Sequence, residues 1–382
     1  MNKSAVFQRP FQAGIMAIRQ VYFSMKEVLK MKNTQTNLSK LFPMIKTKEK
    51  ILEEINSNNT LRIIFNNWSE KHQNEFLSIC TGSKGVKMLY DCYFKEILNP
   101  EYAPERLSSL LSIIIDKKVT VKYQLTNDNT RIGDETSLVI TDIVVELEDG
   151  TLANIEVQKL GYAFTGERAS CYSADLLLRQ YKRVRDLRKQ DFSYKDIAPV
   201  YTIVFLENSP SSFKEFKNVY VHKFSTVSDT GLKMNMLQNF IFIPVDIFLE
   251  KLHNNRCIQS DLDAWLTFLG CDEPEYISKL LDSHPDFKPL YHDLYGICQN
   301  TERMMTMFFS EELKILDDNT VKYMMDQLEE EIKEKKKMLK EQNELITAKN
   351  EQIASKDELI TAKDEQIAKL EAELAKYKSQ SK

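Results

Sequence analysis

The sequence predicts an α/β fold, a mixed central sheet flanked by helices, with further helical regions and a long C-terminal helix. Three observations carry this expectation. Runs rich in β-branched residues at 119–125, 137–147, 151–158 and 200–206 are separated by stretches with helical spacing. Glu148-Asp149-Gly150, between two of these runs, is a hairpin signal. From Ile297 to Lys382 the chain has neither Gly nor Pro, so nothing there breaks a helix.

The elements follow in order. Residues 1–60 are polar and irregular, and a poorly ordered extension is expected there. Lys3, Arg9 and Arg19 surround a short apolar stretch, 11–18, with no small-residue cleavage site after it, so a signal peptide is not expected. Met25 and Met31 offer alternative starts. Leu61, Ile64, Phe65 and Trp68, then Phe76, Leu77 and Cys80, have helical spacing over 61–80. Thr81 to Gly85 carries glycines and a lysine but lacks the P-loop spacing, and reads as a helix–helix connection. A second helical pattern covers 86–98 and ends at Asn99-Pro100. Pro104 then suits a first helical position and Glu105 the acid-favoured first turn, followed by Leu107, Leu110, Leu111, Ile114 and Ile115.

Strand 119–125 precedes a polar loop and the hairpin, 137–147 with 151–158. A long helix is expected over 169–188, a buried strand over 200–206, and further strands at 219–224 and 240–245. Helices take over at 246–253, 262–269, 274–281 and from 291 onward. This divides the chain into an extension (1–60), a core (61–225), a mainly helical domain (226–328) and a long helix (329–382). Trp68 and Trp265 read as core residues.

Composition narrows the function. With 42% hydrophobic residues, the chain can bury a sizeable core. A net charge of −4 means that any DNA contact must come from a local basic patch. No apolar run is long enough to span a bilayer, so no membrane association is expected. The 6 cysteines form no CxxC pair and the 5 histidines do not fall at zinc-ligand spacing, which fits reduced thiols in a cytoplasmic protein. The tail repeats: 344–357 and 358–371 are near-identical, and Ile332, Leu339, Ile346, Ile353, Ile360, Ile367 and Leu374 recur at strict sevens. The positions four on are Lys336, Asn343, Asn350, Asp357, Asp364 and Glu371, where a stable zipper would carry leucine. The tail is therefore either a weakly self-associating coiled coil or a solvated helix held by charge pairs such as Glu365 with Lys369.

The hairpin carries the chemistry. A three-residue loop with Gly150 in the left-handed conformation makes Leu147 face Thr151, and counting outward sets Asp142 across from Glu156. Gln158 and Asn154 share that face, while Ile143, Val145, Ile155 and Val157 point to the core. Two converging carboxylates repel unless a cation lies between them, and Mg²⁺ needs only one or two carboxylates besides water and phosphate. Spacing alone favours the plainer alternative, a surface hairpin whose polar face meets water.

The text Thr141-Asp142-Ile143-Val144-Val145-Glu146-Leu147-Glu148-Asp149-Gly150, then Asn154-Ile155-Glu156-Val157-Gln158, resembles the PD-(D/E)XK nuclease superfamily, in particular its bacterial nuclease family transposase branch, related to recombination-promoting nucleases. Arg168, Tyr172, Leu176 and Gln180 match that branch's helix, and Glu105 stands where the superfamily's first-helix acid lies. The resemblance covers roughly 90–210, with a continuation to about 328. It implies a restriction-endonuclease-like core and a Mg²⁺- or Mn²⁺-dependent DNA nuclease. Asp142, Glu156 and the Val157 carbonyl would hold the metal, Gln158 would act on the water, and Glu105 would assist. Gln158 replaces the usual lysine and cannot supply positive charge, and Thr141 replaces the proline that names the superfamily. Arg168, Tyr172 and Gln180 would brace the site or contact phosphate. Lys182, Arg183 and Arg185, with Arg188 and Lys189, form the densest basic cluster, a candidate DNA footprint or a solvated surface. The alternative is a catalytically weak or inactive nuclease-fold protein acting as a DNA-binding or protein-interaction module.

Overall fold

A computed structural model describes residues 37–125, 143–159, 164–312 and 318–380. The chain forms two units, 1–315 and 316–382.

The first unit is built on a six-stranded mixed sheet. Strands β1 (Val121–Gln124), β2 (Ile143–Leu147), β3 (Leu152–Gln158), β4 (Val200–Leu206), β5 (His222–Phe224) and β6 (Gln238–Pro244) lie in the order β1-β2-β3-β4-β6-β5. The β3–β4 and β4–β6 pairs are parallel and the others antiparallel. β4 takes an inner place because its sequence, VYTIVFL, is apolar on both faces, as a strand covered on both sides must be.

The helices of this unit are α1 (Lys48–Ser57), α2 (Asn59–Asn67), α3 (Glu70–Cys80), α4 (Asp91–Ile97), α5 (Pro104–Ile115), α6 (Gly166–Arg188), α7 (Ser211–Lys214), α8 (Val245–Asn255), α9 (Asp261–Gly270), α10 (Pro274–Ser283), α11 (Lys288–Ile297) and α12 (Thr301–Glu312). One sheet face, with Ile143, Val145, Ile155, Val157, Ile203 and Phe205, joins the large core shared with α5, α8, α9 and α11. The other face is covered by α6. The second unit carries α13 (Asp318–Gln380), the long C-terminal helix. Among the described residues no helix is long and apolar enough to cross a membrane.

Several boundaries differ from the sequence expectation. Within 1–60, residues 37–60 are not irregular. Asn37 caps a 3-10 turn and Thr47 caps α1. Leu38, Phe42, Ile51 and Ile55 are buried in the main core, each such burial contributing roughly 1.5–3 kcal/mol. The polar character of this stretch hid a narrow apolar face. The pattern over 61–80 is two helices rather than one, because Trp68 is extended and the Ser69 hydroxyl accepts from His72 N to start α3. Nor does a separate domain begin at 226: β6 lies inside the sheet, and α8 to α12 belong to the same unit. Gly82 and Gly85 connect helices as expected, and Lys84 is paired with Asp272 at 3.0 Å and Glu75 at 3.4 Å. Trp68 and Trp265 are buried. The six cysteines are free thiols, and burial lifts those of Cys271 and Cys298 to about 12.

Candidate active site

The hairpin forms with the counted register. Ile143 pairs with Ile155, Val144 with Asn154, Val145 with Ala153 and Glu146 with Leu152. Gly150 has φ +83°, a conformation that glycine adopts without a Cβ clash. Its N–H donates to the Leu147 carbonyl at 2.9 Å, and Leu147 N–H donates to Thr151 at 2.9 Å. Asp149 closes the turn by accepting from Thr151 N–H at 3.0 Å. Burial works against ionising Asp149, but the Lys117 ammonium and the Thr151 donors outweigh it and hold the carboxyl below its usual range. Asp142 and the residues before it, back to 126, lie outside the described residues.

At Glu146, Asn154 and Glu156 the polar face of the hairpin does not meet water. Val144, Leu152, Leu176 and Val200 form one apolar cluster beneath α6, and Phe164, Ala169, Tyr172, Val204, Leu206 and Phe242 form another. Between them, in strand register, stand Asn154, Glu156 and Thr202. Glu156 is only 1% exposed, which rules out the surface-hairpin alternative for this position. A buried carboxylate needs hydrogen-bond donors to offset lost hydration. Asn154 Nδ2 donates to Glu156 Oε1 at 3.0 Å, and Gln158 Nε2 donates to Oε2 at 3.3 Å. Among the described residues, Asn154 Oδ1 and Thr202 Oγ1 are buried without a hydrogen-bond partner. This oxygen-only donor set fits a hard divalent cation, which takes carboxylate, amide and main-chain oxygens. Val157, the third metal candidate, has its side chain in the main core. Among the described residues no three His, Cys, Asp or Glu side chains gather into a metal-binding group.

The helix over this face begins at Thr165, whose hydroxyl accepts from Arg168 N–H at 3.2 Å. Arg168 and Tyr172 share a face one turn apart, and Arg168 donates to the Tyr172 hydroxyl at 2.9 Å. The guanidinium also lies 5.3 Å from the Phe164 ring centre. Tyr172 packs with Val204 and Leu206, the strand partners of Glu156 and Gln158, so this pair lies over the carboxylate end of β3. Gln180, 1% exposed, reaches the other end of the hairpin and donates to the Gly150 carbonyl at 2.5 Å.

Arg183 turns inward. It donates to Gln180 Oε1 at 3.1 Å, to the Tyr123 hydroxyl at 2.7 Å and to buried Glu146, which Tyr123 also bonds at 2.5 Å. Lys122 stands 3.6 Å from the same carboxylate. Glu146 escaped the sequence reading as a site-face residue, although its even register with Asn154 and Glu156 was the available signal. Lys182, Arg185, Arg188 and Lys189 remain exposed. Glu105 is exposed in the first turn of α5, a helix that packs on the sheet face opposite Glu156.

A family model described as "PD-(D/E)XK nuclease family transposase" matches residues 88–325. No curated protein and no solved structure matches the chain.

Proposed function

The chain belongs to the PD-(D/E)XK nuclease family transposases, and from that premise we propose that it hydrolyses DNA phosphodiester bonds with a divalent metal, Mg²⁺ or Mn²⁺, in a mobile-element or recombination setting. The observation that carries the reading is Glu156, a carboxylate enclosed beneath α6 with an amide donor on each oxygen. The reading extends the Ile143–Ile155 register by one pair, to Asp142 with Glu156. Asp142, Glu156 and the Val157 carbonyl would hold the metal, which would supply Lewis acidity at the scissile phosphate. Asn154 and Gln158 fix the orientation of the Glu156 carboxylate. Gln158 keeps an amide oxygen that accepts a hydrogen bond from the attacking water and orients it. Glu105, in the first turn of α5, complements the partial positive charge of that helix N-terminus. Self-association through α13 is part of the same proposal, by way of its heptad stripe Ile332 to Ile367, whose members are 51–58% exposed.

A second reading, a nuclease fold kept as a DNA-binding or interaction module, is favoured by one observation: Gln158 offers an amide where the superfamily carries a lysine, so no cation stands at the third position. Plasmid nicking with Mg²⁺ or Mn²⁺ separates the two. Wild type nicks, and Asp142→Ala and Glu156→Ala lose activity by orders of magnitude, if the first reading holds. Equal activity in all three sinks the assigned site, while intact DNA binding without nicking by wild type selects the second reading.

A further inference from the structure

Helix α6 ends in a turn that no part of the proposed chemistry uses. Lys189 closes the helix at φ +51° and ψ −113°, a strained conformation for a residue with a side chain. The strain reverses the chain and brings Phe192 and Tyr194 back onto Tyr181. The rings of Tyr181 and Tyr194 are stacked, 10° from parallel with centres 6.0 Å apart. Phe192 meets both edge-on, at 5.5 and 5.4 Å. The Ser193–Asp196 capping box holds Tyr194 in a short 3-10 turn. Tyr194 is nevertheless 73% exposed, an unusual position for a large ring held this firmly.

Charge surrounds the rings. Arg185 donates to the Tyr181 hydroxyl at 3.0 Å and lies over that ring. Lys182, Arg188, Lys189 and Lys195 are exposed on the same helix end and turn, against Asp186, Asp191 and Asp196. The patch is a local cationic excess on a chain whose net charge is −4. An exposed ring stacked on a second ring, beside exposed cations, matches the chemistry of an unpaired base and its phosphates. A duplex offers only the phosphates, because its bases are already stacked on one another.

We propose that Tyr194, backed by Tyr181 and Phe192, is a stacking platform for an unpaired base of single-stranded or splayed DNA, with Arg185, Arg188 and Lys189 on the flanking phosphates. Tyr181 lies on the helix that carries Tyr172 above the strand partners of Glu156, about 14 Å further along. DNA as the partner rests on the nuclease reading; the platform itself rests on the rings and their charges.

The test is fluorescence anisotropy of the full chain in EDTA, with a labelled 12-nucleotide single strand and the matching duplex. Tyr194→Ala weakens single-strand binding roughly tenfold and leaves duplex binding unchanged, in line with about 1–3 kcal/mol per stacked base. Tyr194→Trp retains binding, and its added fluorescence is quenched by the single strand. Arg185→Ala with Lys189→Ala weakens both DNAs and lowers the salt dependence. The proposal is overturned if Tyr194→Ala changes neither affinity, if it lowers both equally, or if wild type binds neither DNA. Circular dichroism of Tyr194→Ala checks that the exposed substitution leaves the fold intact. Because no metal is present, binding without later nicking would count against the nuclease reading and not against the platform.

Discussion

Gln180 Nε2 donates to the main-chain carbonyl of Gly150 at 2.5 Å, a side-chain bond that ties α6 to the hairpin turn across 30 residues. Gln180 is buried and Gly150 half-buried, so losing the bond leaves the carbonyl only partly rehydrated. Gln180→Leu is expected to lower stability by about 1–2 kcal/mol in urea unfolding. Gly150→Ala should cost a similar amount through backbone strain at φ +83°, since an added Cβ meets only Ala198 at 3.7 Å. If both variants unfold like wild type, the turn is not held as described.

Glu146 and Arg183 form the second tie. The Glu146 side chain is 8% exposed and that of Arg183 26%, so removing the cation leaves a largely buried carboxylate. Arg183→Met should therefore cost about 2 kcal/mol, below the full penalty of a deeply buried pair because Tyr123 and Lys122 stay beside Glu146. Adding Glu146→Gln should recover part of that loss. A double mutant as unstable as the sum of the two single mutants would show that the pair does not couple.

Asp149 gives the hairpin a pH signature. Burial raises its carboxyl, but the Lys117 ammonium and the Thr151 donors outweigh that and leave it below the usual range. A depressed folded value contributes stability that is present above about pH 4, the unfolded range, and is lost as pH falls through the folded value. Comparing wild type with Asp149→Asn in unfolding experiments from pH 6 to pH 2 should show a difference that shrinks toward acid. A constant difference would contradict the Lys117 pairing.

Gln158 is expected to act through Glu156 as well as on water. Gln158→Ala should lower nicking by roughly 10–100-fold and raise the metal concentration needed for half-maximal activity, as loss of a ligand-orienting partner does. Gln158→Lys, which restores a donor to Glu156, should retain activity. Unchanged metal dependence in Gln158→Ala would separate this residue from the metal.

The sequence by itself determined the α/β class, the strands around the hairpin and its register. These depend on local rules: a two-residue side-chain period, a glycine that tolerates positive φ, and apolar runs too long to face water. It also placed Asn154, Glu156 and Gln158 on one face. Only the tertiary structure decided what covers that face. Packing α6 across it turned a candidate surface hairpin into a buried carboxylate with two amide donors. The same docking divided the basic cluster, drawing Arg183 in to Glu146 while Lys182 and Arg185 stayed in solvent. Packing on the opposite sheet face drew residues 37–60 into the core through five apolar side chains, Leu38, Phe42, Ile45, Ile51 and Ile55, spread along an otherwise polar stretch. Each of these outcomes depends on partners distant in sequence, where side-chain periodicity carries no information about which surfaces will meet.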